Sequence, residues 1–509
     1  MSRSPILAAA ITAAFLSTLS TLSAQRADPA IGWLKQAAAA IGGEARLRSL
    51  SALEISGVSV VHHREQSERP EGPWIPTFAE FTDVRHFASG ATLRTSRTRG
   101  FVEQDSTAWT PDPALLVVDD LAFARKAGQL APAGLPWDLG AVPLALGPER
   151  IVLTALDARD LHAETDVQFH GYAHHVVAFS AAGARVRVLL TPPSLLPKAV
   201  EITRARPFDM FWAPWGDVTA RLTFAVWNLE PSGLRYPRVW EYSTADQPDG
   251  TVNITSVRVD PAVAAADVTV SEDLRGAAIA NRRRTADTPL GSTQRPASEL
   301  APGIVKVPAS FDVLEVRQND GILIVEGPLA SGYSDKVIAD ARTRFGGAAI
   351  AAVITTSDAW PHIGGMREYV ARGVPIYALS LNVPILQRLL AAPYLTEPDA
   401  LARSPRAADI RAVSGKTAVG SGPNRVELYP ILGATTERQM LAYFPERQLL
   451  YTSDAFTIRK DMVFLPQMVS EVVDAVAREH LVVTTAVGMH YDALPWSAVV
   501  AAASPPKVK

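Results

Sequence analysis

The chain contains no cysteine, which excludes disulfides, a thiol nucleophile and thiolate metal ligands. Any metal it holds must therefore rest on imidazole and carboxylate groups. There are ten histidines. Two adjacent pairs, His62/His63 in "VVHHREQ" and His174/His175 in "HGYAHH", fall in strand-like stretches, where neighbouring side chains point to opposite faces. Nearby spacing closes no ligand set around either pair, so both are expected to be surface histidines. A different arrangement follows the apolar run "AAIAAVI". In "TTSDAWPHIGG", residues 355–365, Asp358 precedes His362 by four residues. On one turn, such a carboxylate could join the imidazole on an ion or accept a proton from water.

The elements that must position these groups divide the chain into segments. Residues 1–24 carry one arginine, then the uncharged run "ILAAAITAAFLSTLSTLSA", which ends in small residues. This pattern predicts a cleaved export signal and a periplasmic location, with no transmembrane segment in the mature chain. Residues 25–270 begin with helical spacing in "PAIGWLKQAAAAIGGEARLRSL" and continue as successive strands such as "ARVRVLLT", "DVTARLTFAVWNL" and "TVNITSVRV". Apolar stretches near 113–130 and 150–163 are predicted to be partly helical insertions. Residues 271–300 are polar and basic and are predicted to be a linker. Residues 301–509 alternate strands with helices, which predicts helices packed outside a pair of sheets. The expected fold class is α+β: a β-rich half-barrel followed by a layered sandwich. A net charge of −3 gives no reason to expect nucleic acid as a partner, and 48% hydrophobic residues are ample for two cores.

Residues 304–509 resemble the metallo-β-lactamase fold. The resemblance rests on "GILIVEGP", "HIGGMREYVARGVPIYA", "MLAYFPERQLLYTSDAF" and "VGMHYDALPW", in that order. It implies an αββα sandwich and a metal turn of the form H-x-H-x-D-H-x-G-G. Laid on that pattern, Ser357 and Ala359 stand where the first two histidines belong, Pro361 replaces the aspartate, and His362 is kept. Ala434 stands at the third histidine of the first metal site, while Asp454 and His490 fill the bridging-aspartate and final-histidine positions. Two closely spaced cations need more anionic or imidazole donors than Ser, Ala and Pro provide, so a dinuclear hydrolase is excluded. The resemblance implies a single divalent ion, zinc being the first expectation, on His362, Asp454 and His490, with Asp358 as further ligand or base. The alternative is a metal-free domain in a non-catalytic binding or scaffold protein.

Arg425 in "GPNRVELYP" and Tyr377 in "VPIYALS" are the candidate substrate contacts, with a surface ion pair and core packing as their structural alternatives. In the first segment, "LLTPPSLLPKAVEI", "GDVTARLTF" and "GLRYPRVWEY" resemble the layout of lipoprotein-carrier-like half-barrels. That implies a concave sheet open to a small-molecule or lipid-like ligand, unless its own helices fill it. Neither the substrate nor the oligomeric state is marked in the sequence.

Overall fold

In a computed structural model of the chain, the described residues are 28–67, 74–99, 109–135, 145–431, 438–459, 462–464 and 466–503. The proposed leader and Ala434 lie outside them. The protein is a mixed, strand-rich α/β chain, and among the described residues no helix is long and apolar enough to cross a membrane.

The first region is built on a 14-stranded antiparallel sheet. Strand Ala52–His62 pairs with Pro76–His86 on one side and with Gln247–Val259 on the other. The first branch runs out through Ala91–Arg99, Ala114–Val118 and Leu121–Lys126 to Gln129–Ala133. The second runs back through Arg235–Thr244, Asp217–Leu229, Leu196–Ala205, Ala184–Thr191 and Tyr172–Ala181 to His162–Phe169. Helices Ala30–Ile41, Glu44–Ser49 and Ile151–Leu156 cover part of one face. Leu34, Ile41, Leu47 and Ile151 share a core there with Val186, Leu222, Phe224 and Trp240.

The stretch 113–130 is not helical. It forms the strands Ala114–Val118 and Leu121–Lys126 and enters a third, Gln129–Ala133. Val118 pairs with Leu121 and Lys126 with Gln129, so each connection is a two-residue loop. Asp119, Ala127 and Gly128 supply the positive φ that such loops require. An apolar run alone does not separate a short strand from a buried helix, whereas the turn residues do. His174 also departs from expectation: it is buried, at 2% exposure, with Nδ1 against the Tyr172 carbonyl, because strand alternation turns it inward. Its neighbour His175 pairs with Asp166 and stacks on Trp33.

Residues 271–300 hold helix Glu272–Asn281, N-capped by Ser271, whose Leu274 and Ala278 pack with Leu116 and Phe123 of the first sheet. Among the described residues the second region has two large sheets and a two-stranded one, Thr457–Arg459 with Met462–Phe464. The seven-stranded one runs in order Ser298–Ala301, Ile304–Val307, Val313–Gln318, Gly321–Val325, Ile350–Thr355, Ile376–Leu379, Ile410–Val413, and its last three pairings are parallel. The six-stranded one runs Thr417–Val419, Val426–Pro430, Met440–Phe444, Leu449–Tyr451, Thr485–Val487, Leu494–Pro495. One core takes Leu323, Val325 and Val353 from the first sheet and Leu428, Phe444 and Val487 from the second, with Tyr333 and Val337 of helix Ser331–Arg344. Helix Pro466–Arg478 brings Val469 and Val472 onto Leu441 and Leu450 of the second sheet. Trp212, Trp215 and Val218 of the first region belong to the shared core, so the two regions are packed together.

Candidate metal centre

Three strand ends converge on the site. Strand Ile350–Thr355 runs into residues 356–359, which are not helical, and then into the short helix Trp360–Ile363. Pro361 sits in the first turn of that helix, where its fixed φ and missing N–H cost nothing. Gly364 and Gly365 follow because nothing larger fits: a Cβ would stand 2.4 Å from the Leu329 carbonyl oxygen at one and 2.0 Å from Ser334 Oγ at the other. The other two ends are a parallel pair. Tyr451 is in register with Val487, and Asp454 and His490 each lie three residues further on. The backbone ladder continues past both strands, Thr452 N donating to the Val487 carbonyl at 2.9 Å and Met489 N to the Ser453 carbonyl at 3.0 Å. This pairing brings the two loops side by side.

His362, Asp454 and His490 form a group whose candidate ligand atoms all lie within 4.8 Å of one another. His362 Nε2 is 3.3 Å from Asp454 Oδ2, and His490 Nε2 is 2.9 Å from Asp454 Oδ1. Phe311 lies against both imidazoles, with ring centroids 5.2 and 5.3 Å away. His362 is 1% exposed, whereas the His490 side chain is 28% exposed, so the group opens to solvent on the His490 side. Burial pushes the His362 imidazole down to about 4 against the opposing pull of Asp454, which keeps it neutral and able to donate a lone pair. Burial alone would raise the Asp454 carboxyl, but the two imidazoles hold it below its ordinary range.

The group is supported from below and from one side. Thr356 Oγ1 donates to Glu326 Oε1 and lies 2.6 Å from Ser453 Oγ, tying the turn that carries His362 to the loop that carries Asp454. Burial pushes the Glu326 carboxyl up to about 8. Lys306 Nζ, 2.8 Å from Asp312 and 2.7 Å from the Tyr491 carbonyl oxygen, fastens the His490 loop to the strand pair beside Phe311.

The first region forms a wall of the turn. Trp360 N donates to the Glu65 carbonyl at 2.9 Å. The Trp360 ring meets Trp212 and Trp215 edge-on at 4.8 and 4.9 Å, and the Arg64 guanidinium lies 5.4 Å from its centroid. Asp358 does not join the His/Asp/His group. Its Oδ1 accepts from Ser67 Oγ at 3.3 Å, on the side of the first region. The spacing to His362 suggested one helical turn, but the helix starts only at Trp360, which leaves Asp358 in extended chain ahead of it. Ser357 and Ala359 are buried, and the Ala359 N–H donates to Ser357 Oγ at 3.1 Å.

The two candidate substrate contacts have partners elsewhere. Arg425 pairs with Glu446 at 2.9 Å and with Glu427 at 2.7 Å. The Tyr377 hydroxyl accepts from Arg411 Nη1 at 2.8 Å. Phe311, Glu326 and the clamp of Arg64, Ser67, Trp212 and Trp215 were missed from sequence. Glu326 alone had a signal, as the acid that ends "GILIVE" before a glycine; the others sit in stretches with no motif.

No family model and no curated protein matches the chain at the sequence level. Among solved structures it is similar to a metallo-beta-lactamase from Pontibacter korlensis, at 13% identity and TM-score 0.32 over 41% of this chain and 96% of that one. It is also similar to the DIM-1 metallo-beta-lactamase, at 11% identity and TM-score 0.33 over 43% of this chain and 97% of that one. A third is TMB-1, at 14% identity and TM-score 0.31 over 41% of this chain and 94% of that one.

Proposed function

We propose that residues 301–509 are a metallo-β-lactamase-like domain holding one divalent cation, zinc first, on His362, Asp454 and His490, in an exported single-metal hydrolase. The convergence of these three groups from three separate strand ends carries the reading. A tetrahedral zinc with bonds near 2.0–2.1 Å holds its ligand atoms about 3.3 Å apart. The two Nε2–Oδ separations, 3.3 and 2.9 Å, are of that size. Two imidazoles and one carboxylate suit a borderline cation and leave a fourth position towards the open His490 side. When bound, the ion would supply Lewis acidity, polarising a substrate oxygen and lowering the pKa of water.

The chain's own groups orient and insulate. Asp454 bridges the imidazoles, Phe311 excludes water from one side, and the Thr356–Glu326–Ser453 contacts fix the turn relative to the Asp454 loop. His362 Nδ1 is buried without a hydrogen-bond partner among the described residues. Imidazoles that hold metal usually donate that second nitrogen to an acceptor, and losing such a partner costs about 10–100-fold in affinity. Metal binding weaker than that of a fully supported site is therefore expected.

A second reading is favoured by one observation. The 2.9 Å His490–Asp454 separation is that of a hydrogen bond and His362 lies 3.3 Å from the same carboxylate, so the three groups hold one another without a cation. In that reading the domain is a metal-free scaffold. Metal analysis of protein purified without chelator separates the two. The enzyme reading expects about one ion per chain, lost on His490→Ala together with hydrolysis of an ester and phosphodiester panel. No metal in the wild-type protein after zinc addition would leave the scaffold reading.

A further inference from the structure

We infer that Lys306 is a positioning residue for His490: its buried ammonium fixes the loop that presents this imidazole to the cation. The inference rests on the single-metal reading above. The three groups of the site are not held alike. His362 is buried on the short helix Trp360–Ile363, and Asp454 follows strand Leu449–Tyr451, which has a neighbour on each side in the six-stranded sheet. Residues 488–493 belong to no helix or strand, and the His490 side chain is 28% exposed. A ligand on such a loop depends on its neighbours for its direction.

Those neighbours come from the hairpin of strands Ile304–Val307 and Val313–Gln318. It binds both carbonyls that flank His490. Met489 O accepts from Asp312 N at 3.3 Å, and Tyr491 O accepts from Lys306 Nζ at 2.7 Å. Lys306 Nζ also meets Asp312 Oδ2 at 2.8 Å and Asp492 Oδ1 at 3.0 Å. An ammonium has three N–H donors, so these oxygens use them all. Two of the oxygens belong to the His490 loop and the third to the hairpin. Asp312 is 1% exposed and is held from outside by Arg295 at 3.1 Å, which gives the lysine a fixed carboxylate to bear against.

Stability is a poor account of this arrangement. Lys306 is 1% exposed, and lysine is almost never buried so fully unless paired. A buried ion pair is often no more stable than apolar side chains of the same volume. Methionine would fill the space, but it could not hold the Tyr491 carbonyl and Asp492 while bound to Asp312. Directional bonds on the loop fix the backbone around His490, whereas apolar contact would let it turn. Phe311, between the two strands, packs on the His362 and His490 rings, so the same hairpin bears on the imidazoles directly.

Zinc affinity of the full chain, measured by competition with a chelator, tests the inference. Lys306→Met should bind zinc about 10–100-fold more weakly than the wild type, the loss typical when the support of a ligand is removed. The double variant Lys306→Met, Asp312→Asn removes the carboxylate left behind and keeps the backbone bond from residue 312 to Met489. It should regain melting temperature but not zinc affinity, and it carries the test should the single variant not fold. Cobalt(II) in place of zinc should show weaker visible absorption bands in both variants, because water replaces an imidazole and the coordination number rises. Wild-type protein that takes up no zinc would remove the single-metal reading and this inference with it. Zinc on the wild type, with unchanged affinity and cobalt spectrum in the folded variants, would remove this inference alone. So would zinc affinity that returns together with stability in the double variant.

Discussion

Replacing Arg64 by alanine tests how the first region holds the turn that carries His362. Arg64 is 2% exposed, its Nη2 donates to Asp249 Oδ1, and its guanidinium rests on the Trp360 ring. Removing one partner of a buried ion pair typically costs 3–5 kcal/mol, because the other charge is left behind. The lost cation–π contact adds about 1–2 kcal/mol in a desolvated setting. Thr244 Oγ1 still donates to Asp249 and offsets part of the loss. The expected destabilisation is therefore about 4 kcal/mol. It should depend on pH, because burial already raises the Asp249 carboxyl above its ordinary value even with Arg64 present. Without the guanidinium that carboxyl rises further. A raised carboxyl holds its proton in the folded state while the unfolded chain releases it, so the deficit should grow with pH above about 4 and shrink at lower pH. Urea unfolding followed by tryptophan fluorescence measures both effects. The double variant Arg64→Ala, Asp249→Asn, which leaves no orphaned charge, should recover about 2 kcal/mol at pH 7. A single-variant loss below about 1 kcal/mol, or no recovery in the double variant, would refute the described clamp.

Two further outcomes follow from other contacts. Asp217 accepts from Leu395 N at 2.6 Å and Thr396 N at 2.9 Å, joining the first region to the loop after helix Val383–Leu390. Asp217→Ala should cost about 3 kcal/mol or more, as three charge-assisted bonds are lost, the third from Thr396 Oγ1, and urea titration that still shows wild-type stability would contradict the contact. Glu326, held protonated up to about 8 against 4.5 in the unfolded chain, should lower stability as pH rises between those values. Glu326→Gln should match the wild type near pH 4.5 and exceed it by about 3 kcal/mol at pH 7; a difference independent of pH would show that the carboxyl is not buried as described.

Much of the second region was legible because its signals are local. "QNDG" lies between two apolar runs that form a hairpin, and "SDKVIADARTRFGG" carries the glycine stop of helix Ser331–Arg344 but not its start, which lies three residues before this stretch and has no side-chain cap. His362, Asp454 and His490 were found through a resemblance that preserves order and spacing, and the structure brings them together. The structure gave Asp358 a different place because a spacing of four means one turn only inside a helix, and the helix starts two residues later. Arg425 was legible as a base near a strand but not as the partner of Glu427 and Glu446, since strand register decides which charges meet. The wall that Arg64, Ser67, Trp212 and Trp215 build around the turn had no sequence signal. Contacts between residues hundreds of positions apart arise from the packing of one region on the other, and no periodicity encodes them.

The central claim, that three groups from separate strand ends hold one cation, is tested most directly by crystals grown with zinc and measured at its absorption edge. One anomalous peak is expected per chain, about 2.0–2.1 Å from His362 Nε2, His490 Nε2 and an Asp454 carboxylate oxygen. A zinc-saturated crystal with no peak between these residues, and Asp454 still in direct contact with both imidazoles, would contradict it.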